Sequence, residues 1–447
     1  MTSLLIKKLL RSKGLMLGLL LLFFTGLISL HIGKIFLNQQ SDTVTKTAQF
    51  QDENLQRHLK HIDGEIGLLL YYIRFGLVNE TPRLAGLAIG HRDIHPSVQS
   101  VNIRNLEEQK YASELKNPLY QLLGNIDFSF VLIYLFPLII IAFCFNILSE
   151  EKENGTWKLV LSQSEKPLQV IRTKLFIRSA SVFLTFFILL FIGKIHLKIP
   201  MNIDFAAFAM TGVLYLTFWF ALVWFMISLQ KPSSQNALLL LLSWIALTII
   251  IPTSVNALVV NLYPVPEAFN TVLDSRDGYH NKWDQPKAPT IKKFKEHYPQ
   301  FAKYEHPEGK SFGWFWYFAM QQMGDDEAAD ASKTMKTKLQ KRDKFSRTIG
   351  YLFPSIHTQF TLNSLGRSDL NNYLNFLNQL ELFHETKRLY FYPKIFESQP
   401  IDSEDWGKVG LEYFKDNRIF DWFNGLFPLI FGSLLLLLLA KVKWSSI

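Results

Sequence analysis

Cysteine occurs once in 447 residues, at Cys144. No disulfide can form within the chain, and a metal site built on cysteines is not expected. A nucleotide-binding loop is also missing. The pattern G-x-x-x-x-G-K-[ST] finds its nearest counterpart at Gly309-Lys310-Ser311, but Tyr304 stands where the first glycine must be. The chain is therefore not expected to hydrolyse ATP or to hold a cofactor of its own. It has no G-x-S-x-G nucleophile elbow and no H-E-x-x-H zinc motif. The pairs His58/His61 and His91/His95 have helical spacing, and His357 and His384 stand further on. No pair has a nearby cysteine or an H-E-x-x-H context, so all read as surface or hydrogen-bonded histidines and no metal is expected. Carboxylates are nearly absent from the long apolar runs, where Asp204 and Asp421 sit only at the ends. That argues against a proton relay or an ion-coupled carrier.

What the chain has in quantity is apolar surface. Hydrophobic residues make up 49% and aromatics 14%, with 38 Phe. This exceeds an ordinary soluble domain yet falls short of a protein embedded throughout, so membrane spans alternating with water-exposed regions are expected. A span needs about 20 apolar residues. Six segments meet or approach that: residues 15–36, 128–148, 176–193, 205–229, 237–260 and 423–440. The first is too long for a cleaved signal and lacks a small-x-small site after it, so it reads as a retained span. The third is short and carries Arg178, which is expected to snorkel to the interface. Pro137, Pro252 and Pro428 fall in or at the ends of spans and read as tolerated kinks. Phenylalanine-rich runs such as "LYLTFWFALVWFMISL" read as packing or lipid-facing surface.

Lysine and arginine set the orientation. Lys7, Lys8, Arg11 and Lys13 precede the first span, and Lys441 and Lys443 follow the last. Both termini are thus expected in the cytoplasm of a bacterial inner membrane, with residues 1–14 as an interfacial helix and 441–447 as a tail. Lys194 and Lys198 oppose this from one short loop. The net charge of +9 is assigned to these flanks, not to nucleic-acid binding. Two polar regions, 37–127 and 261–422, then lie outside. The stretch "FQDENLQRHLKHIDGEIGLLLYYIRF" reads as helical. In the second region "DDEAADASKTMKTKLQKRDKFSRTIGYLF" places acids before bases, as a helix dipole favours. A further helix is expected after Ser368 or Asp369, ending before Pro393. The expected fold is mainly α: six transmembrane helices and two largely helical extracytoplasmic domains.

Between the second and third spans, residues 149–175 form a compact charged block, "SEEKENGTWKLVLSQSEKPLQVIRTKL". Asn154-Gly155 breaks a helix, "TWKLVLSQS" follows as a short amphipathic piece, and Lys166-Pro167 starts the next helix, since proline suits a first turn. The expectation is a rigid elbow facing the cytoplasm. This pattern, with Glu150, Glu151, Glu153, Gly155, Thr156, Leu159, Leu161, Ser162, Pro167, Ile171 and Lys174, resembles the type-2 ABC transporter permeases. The "YPVP" stretch and the large region before the last span are similar to one subgroup of them. The resemblance implies a dimeric permease, with a second copy or a related permease, bound to two ABC ATPase subunits that carry ATP and Mg. It implies that the elbow couples to the ATPase through Glu150, Glu151, Glu153, Gly155, Thr156, Leu159 and Leu161. Export or extrusion of an amphiphilic, lipid-like or peptide cargo across the lipid bilayer would follow, and a periplasmic partner stays open. Two alternatives stand beside it. One is a membrane-bound enzyme using His357, His384, Glu385, Lys387 and Arg388 in the second outer region; the other is a sensor or scaffold.

Overall fold

The structure is a computed structural model that describes residues 11–110, 125–307 and 309–445, together with Leu5 and Lys7. Most of the expected interfacial helix, residues 1–14, lies outside the described residues. Among those described, six helices are long and apolar enough to cross a membrane: Lys13–His61, Phe128–Glu153, Pro167–His196, Ile203–Ser228, Ser233–Leu262 and Trp422–Trp444. The chain is a mainly α, multi-pass membrane protein. The first helix runs for 49 residues, about 73 Å at the helical rise, against about 30 Å of hydrocarbon. Its far half therefore stands outside the span, and the polar stretch expected to begin at residue 37 opens as a continuation of this helix. Gly64, at φ +104°, breaks it, and a short helix, Ile66–Tyr72, follows.

The spans are not equivalent. Of the most apolar stretch, 67% is buried in the fourth span and 61% in the second, against 17% in the fifth. The fourth and second spans make the centre of the bundle, so the phenylalanine-rich run of the fourth is packing surface. Tyr215, Trp219 and Phe208 there are fully enclosed. Gly212 makes this possible: a Cβ at that position would lie 2.5 Å from Phe186 Cζ.

The prolines of the second and fifth spans have a shared local consequence. Pro137 follows a π-helical turn, Val131–Leu135, and Pro252 follows another, Ala246–Ile250. Proline has no N–H to give the carbonyl four residues back. The Ile133 carbonyl freed in this way accepts from the buried Tyr215 hydroxyl at 2.9 Å. Its neighbour, the Tyr134 carbonyl, accepts from Trp244 Nε1 at 3.1 Å. Thus the kink of the second span is pinned by donors from the fourth and fifth spans.

The two polar regions meet in one body on the side of the bundle away from the elbow. A three-stranded sheet of order β2–β1–β3 joins them: β1 (Phe75–Asn79), β2 (Val98–Val101) and β3 (Glu412–Phe414). β1 pairs antiparallel with β2, Phe75 opposite Val101, and parallel with β3, Leu77 opposite Glu412. A common core gathers Ile66, Leu69 and Phe75 from the first region with Phe294, Phe318, Phe391 and Tyr392 from the second. Each fully buried Phe contributes about 1.5–3 kcal/mol to such a core. The second region holds two long helices, Trp314–Gly350 and Leu370–Phe396. The latter starts as expected, with the Asp369 carboxylate accepting from Asn372 N. It does not stop at Pro393 but continues to Phe396. Proline there leaves the carbonyl of half-exposed Leu389 without its helical donor.

This body is seated in the bundle, not hung from it. The helix Pro354–Leu365 places Leu362 and Leu365 in the bundle's hydrophobic core, beside Leu84 to Ile89 of the first region. Tyr215 of the fourth span lies 3.2 Å from Ser355 Oγ, and the Gly425 carbonyl of the last span is 2.9 Å from His357 Nε2.

Candidate coupling elbow

The elbow grows out of the end of the second span. Regular helix stops at Cys144, turns carry the chain to Leu148, and a short helix, Ser149–Glu153, resumes. Asn154 closes it and Gly155 adopts φ +72°, ψ −3°, a left-handed conformation that an L side chain enters only at a cost. This one residue reverses the chain into the helix Thr156–Gln163. Ser164 is extended, and Pro167 occupies the first turn of the third span. The expected helix–break–helix–proline order is therefore present residue by residue.

Each of the three glutamates is held by a partner within the protein. Glu151 is ion-paired to Lys174 of the third span and accepts from the Thr156 hydroxyl. Glu153 accepts from the backbone N–H of Ser233, at 2.8 Å, and its other oxygen lies 2.8 Å from Ser233 Oγ. Ser233 opens the fifth span, so a carboxylate sits at a helix N-terminus, where both free N–H groups and the dipole favour it. Ser233 Oγ also lies 2.7 Å from Ser149 Oγ, and Lys152 donates to Gln230 Oε1 at 2.5 Å. Glu150 accepts from Asn146 at 3.0 Å. The block is fastened at one end to the third span and at the other to the turn between the fourth and fifth.

The helix that follows is left open. No residue of Thr156–Gln163 is buried. Trp157 and Val160 turn partly toward the bundle, and Trp157 packs on its core. Lys158, Leu159, Leu161 and Ser162 are on the exposed side, Leu159 at 58% and Leu161 at 52%. Of the residues singled out in the sequence, Glu151, Glu153 and Thr156 thus fix the elbow, Gly155 shapes it, and Leu159 and Leu161 are presented. Ser233, Gln230 and Lys152 escaped the sequence reading; the one local signal was Pro232-Ser233, a helix-start dipeptide in "QKPSSQN".

The residues of the enzyme alternative do not converge. His384 and Arg388 are buried clamps on the first polar region: His384 Nε2 lies 2.9 Å from the Asn102 carbonyl. Arg388 pairs with Asp325 at 2.8 Å and donates to the Ile103 and Arg104 carbonyls at 3.2 and 2.6 Å. Burial holds His384 well below the ordinary histidine range. Glu385 accepts from Tyr298 and Lys387 pairs with Glu412, while His357 is engaged with Gly425 at the bundle. Among the described residues no group of three His, Cys, Asp or Glu could hold a metal ion.

Residues 268–410, most of the second polar region, match a family described as "Domain of unknown function (DUF3526)". No curated protein and no solved structure matches the chain. The elbow lies outside the matched stretch.

Proposed function

We propose that this chain is the membrane-spanning subunit of an ABC exporter, driven by ATPase subunits on separate chains. The observation that carries the proposal is the open helix Thr156–Gln163, held on a braced, glycine-turned base with Leu159 and Leu161 exposed. A solvated loop needs no such bracing. A lever does, because a push on its free helix must reach the third and fifth spans through Glu151–Lys174 and Glu153–Ser233. The glutamates then act as positioning residues, and Leu159, Leu161 and Lys158 form the docking face. Charge supports placing this face in the cytoplasm: Lys13, Lys152, Lys158, Lys166, Arg172, Lys174, Lys231, Lys441 and Lys443 all flank spans on the elbow side. The cargo would be amphiphilic, lipid-like or a peptide.

Purification of the tagged chain from its native membrane tests the reading directly. A P-loop ATPase should accompany it, and Leu161→Asp should release that partner while membrane insertion survives. An unaltered complex with this variant, or no ATPase at all, would remove the basis for the proposal. Orientation is checked with cysteines at Asp330 and Glu165, both exposed, in a Cys144→Ser background. An impermeant thiol reagent on intact cells should label the first and spare the second.

A further inference from the structure

A cavity of about 460 Å³ lies where the first three spans meet on the elbow side, its wall including Leu15, Ile139, Phe143, Glu150, Lys174 and Arg178, together with Gly14. That volume is in the range that holds a drug-sized ligand. Its wall is apolar toward the bundle and polar toward the elbow. Arg178 is the unusual member. It stands inside the third span, three turns from Pro167, and it does not snorkel outward. Instead it donates to the Phe143 carbonyl, at the frayed end of the second span, and lies 3.4 Å from Asn146 Oδ1. Lys174, one turn nearer the elbow on the same face, has Glu151 as its counter-ion. Arg178 has no ion-pair partner among the described residues; the Glu150 carboxylate that shares the cavity wall is engaged by Asn146 at 3.0 Å. A cation held in a span calls for an anion, and the arginine fork is matched to phosphate oxygens.

We propose that this cavity binds the phosphate of a membrane glycerophospholipid from the leaflet on the elbow side. Arg178 is the anchor, Lys174 a neighbouring donor, and Leu15, Ile139 and Phe143 the wall for the upper acyl chains. Basic recesses between spans at the headgroup level suit this chemistry, and a lipid, unlike a free anion, also covers the apolar wall. The inference does not rest on the exporter reading, since it needs no ATPase.

The test measures phospholipid retained per chain, by mass spectrometry after exhaustive delipidation in mild detergent. The natural chain should keep a bound phospholipid, and Arg178→Gln should lower retention roughly tenfold, the effect of losing a charge-assisted pair. Gly14→Phe is the second variant. Gly14 lines the cavity and no atom lies within 4 Å of where its Cβ would be, so a side chain there meets no clash; the ring should displace the lipid while the melting temperature holds. Adding phospholipid back should raise the melting temperature of the delipidated chain, and millimolar inorganic phosphate should not. Equal retention by the natural chain and both variants, or equal stabilisation by inorganic phosphate, would overturn the proposal.

Discussion

On the side of the outer body, charges are buried and matched. Asp369, with its side chain 2% exposed, takes both Arg347 and Arg418 at 2.8 Å; Arg418 also pairs with Asp416 and Arg367 with Asp204. Arg92 is packed among the Asn79, Glu80 and Arg367 carbonyls and the Asn79 and Asn372 side chains, and burial lowers its pKa to about 10. On the elbow side a whole helix has no buried residue and two leucines face outward. One end spends its polar groups on internal closure, and the other keeps a surface in reserve. Because Asp204 begins the fourth span, the closed end ties the outer body to the bundle's most buried helix. A displacement of the elbow that moves the spans must therefore move the outer body with them.

The largest expected effect comes from breaking the closed end. Asp369→Ala leaves Arg347 and Arg418 facing a buried gap and removes the cap of the helix Leu370–Phe396. Removing one partner of a buried pair costs about 3–5 kcal/mol. Thermal unfolding in detergent should show a drop of that order. A melting temperature equal to that of the natural chain would mean that the network is not what closes this end.

A second, smaller effect is written into protonation. Burial lowers the pKa of His384. For such a group the unfolded chain binds more protons below about pH 6.5, so stability falls as pH drops from there, by about 1.4 kcal/mol per unit while the histidine remains neutral. Asp369 and Asp416 are held below their ordinary values, where their arginine partners outweigh desolvation. Their contribution is present above about pH 4 and is lost as pH falls through the depressed values, so it has the same sign. The His384 contribution should fall from about pH 6.5 to pH 5 and that of the two aspartates below about pH 4, opposed by Asp127 and Glu107, whose carboxyls burial pushes up so that they favour the fold as pH drops. His384→Gln should lessen the loss of melting temperature between pH 7 and 5, and an unchanged profile in that variant would contradict a buried neutral His384.

The spans, the elbow order and the capped helix at Asp369 are legible in the chain because each is a local pattern: a long apolar run, a glycine between charges, an acid before a helix. What is not legible is pairing at a distance. β1 and β3 are separated by more than 300 residues, and nothing in "FGLVN" or "EYF" names the other. The two polar regions therefore read as separate domains until the sheet and the shared core join them. The same holds for the elbow. Glu153 and Ser233 are 80 residues apart, so an acidic run that looks like a docking surface turns out to be a set of braces. Arg178 is legible as a cation in a short span and expected to snorkel; its internal partners, the Phe143 carbonyl and Asn146, are not.

The smallest expected stability effect falls at Gly155 and sharpens the comparison most. No atom lies within 4 Å of where a Cβ would be, so substitution meets no steric contact and the only penalty is conformational. Gly155→Ala asks an L-residue to hold φ +72°, at a cost of roughly 1 kcal/mol. An exposed turn can relieve that strain by letting the helix Thr156–Gln163 swing, so melting should hardly change. On the exporter reading coupling should suffer, because the brace at Glu153 and the exposed leucines Leu159 and Leu161 would no longer keep their mutual orientation. Asparagine tolerates the left-handed region better than alanine, which gives a control of similar exposure. Gly155→Ala should reduce cargo-stimulated hydrolysis by the co-purifying ATPase, and Gly155→Asn should restore much of it. If both variants behave like the natural chain in that assay, the left-handed turn has no part in transmission, and the open helix would be a passive surface.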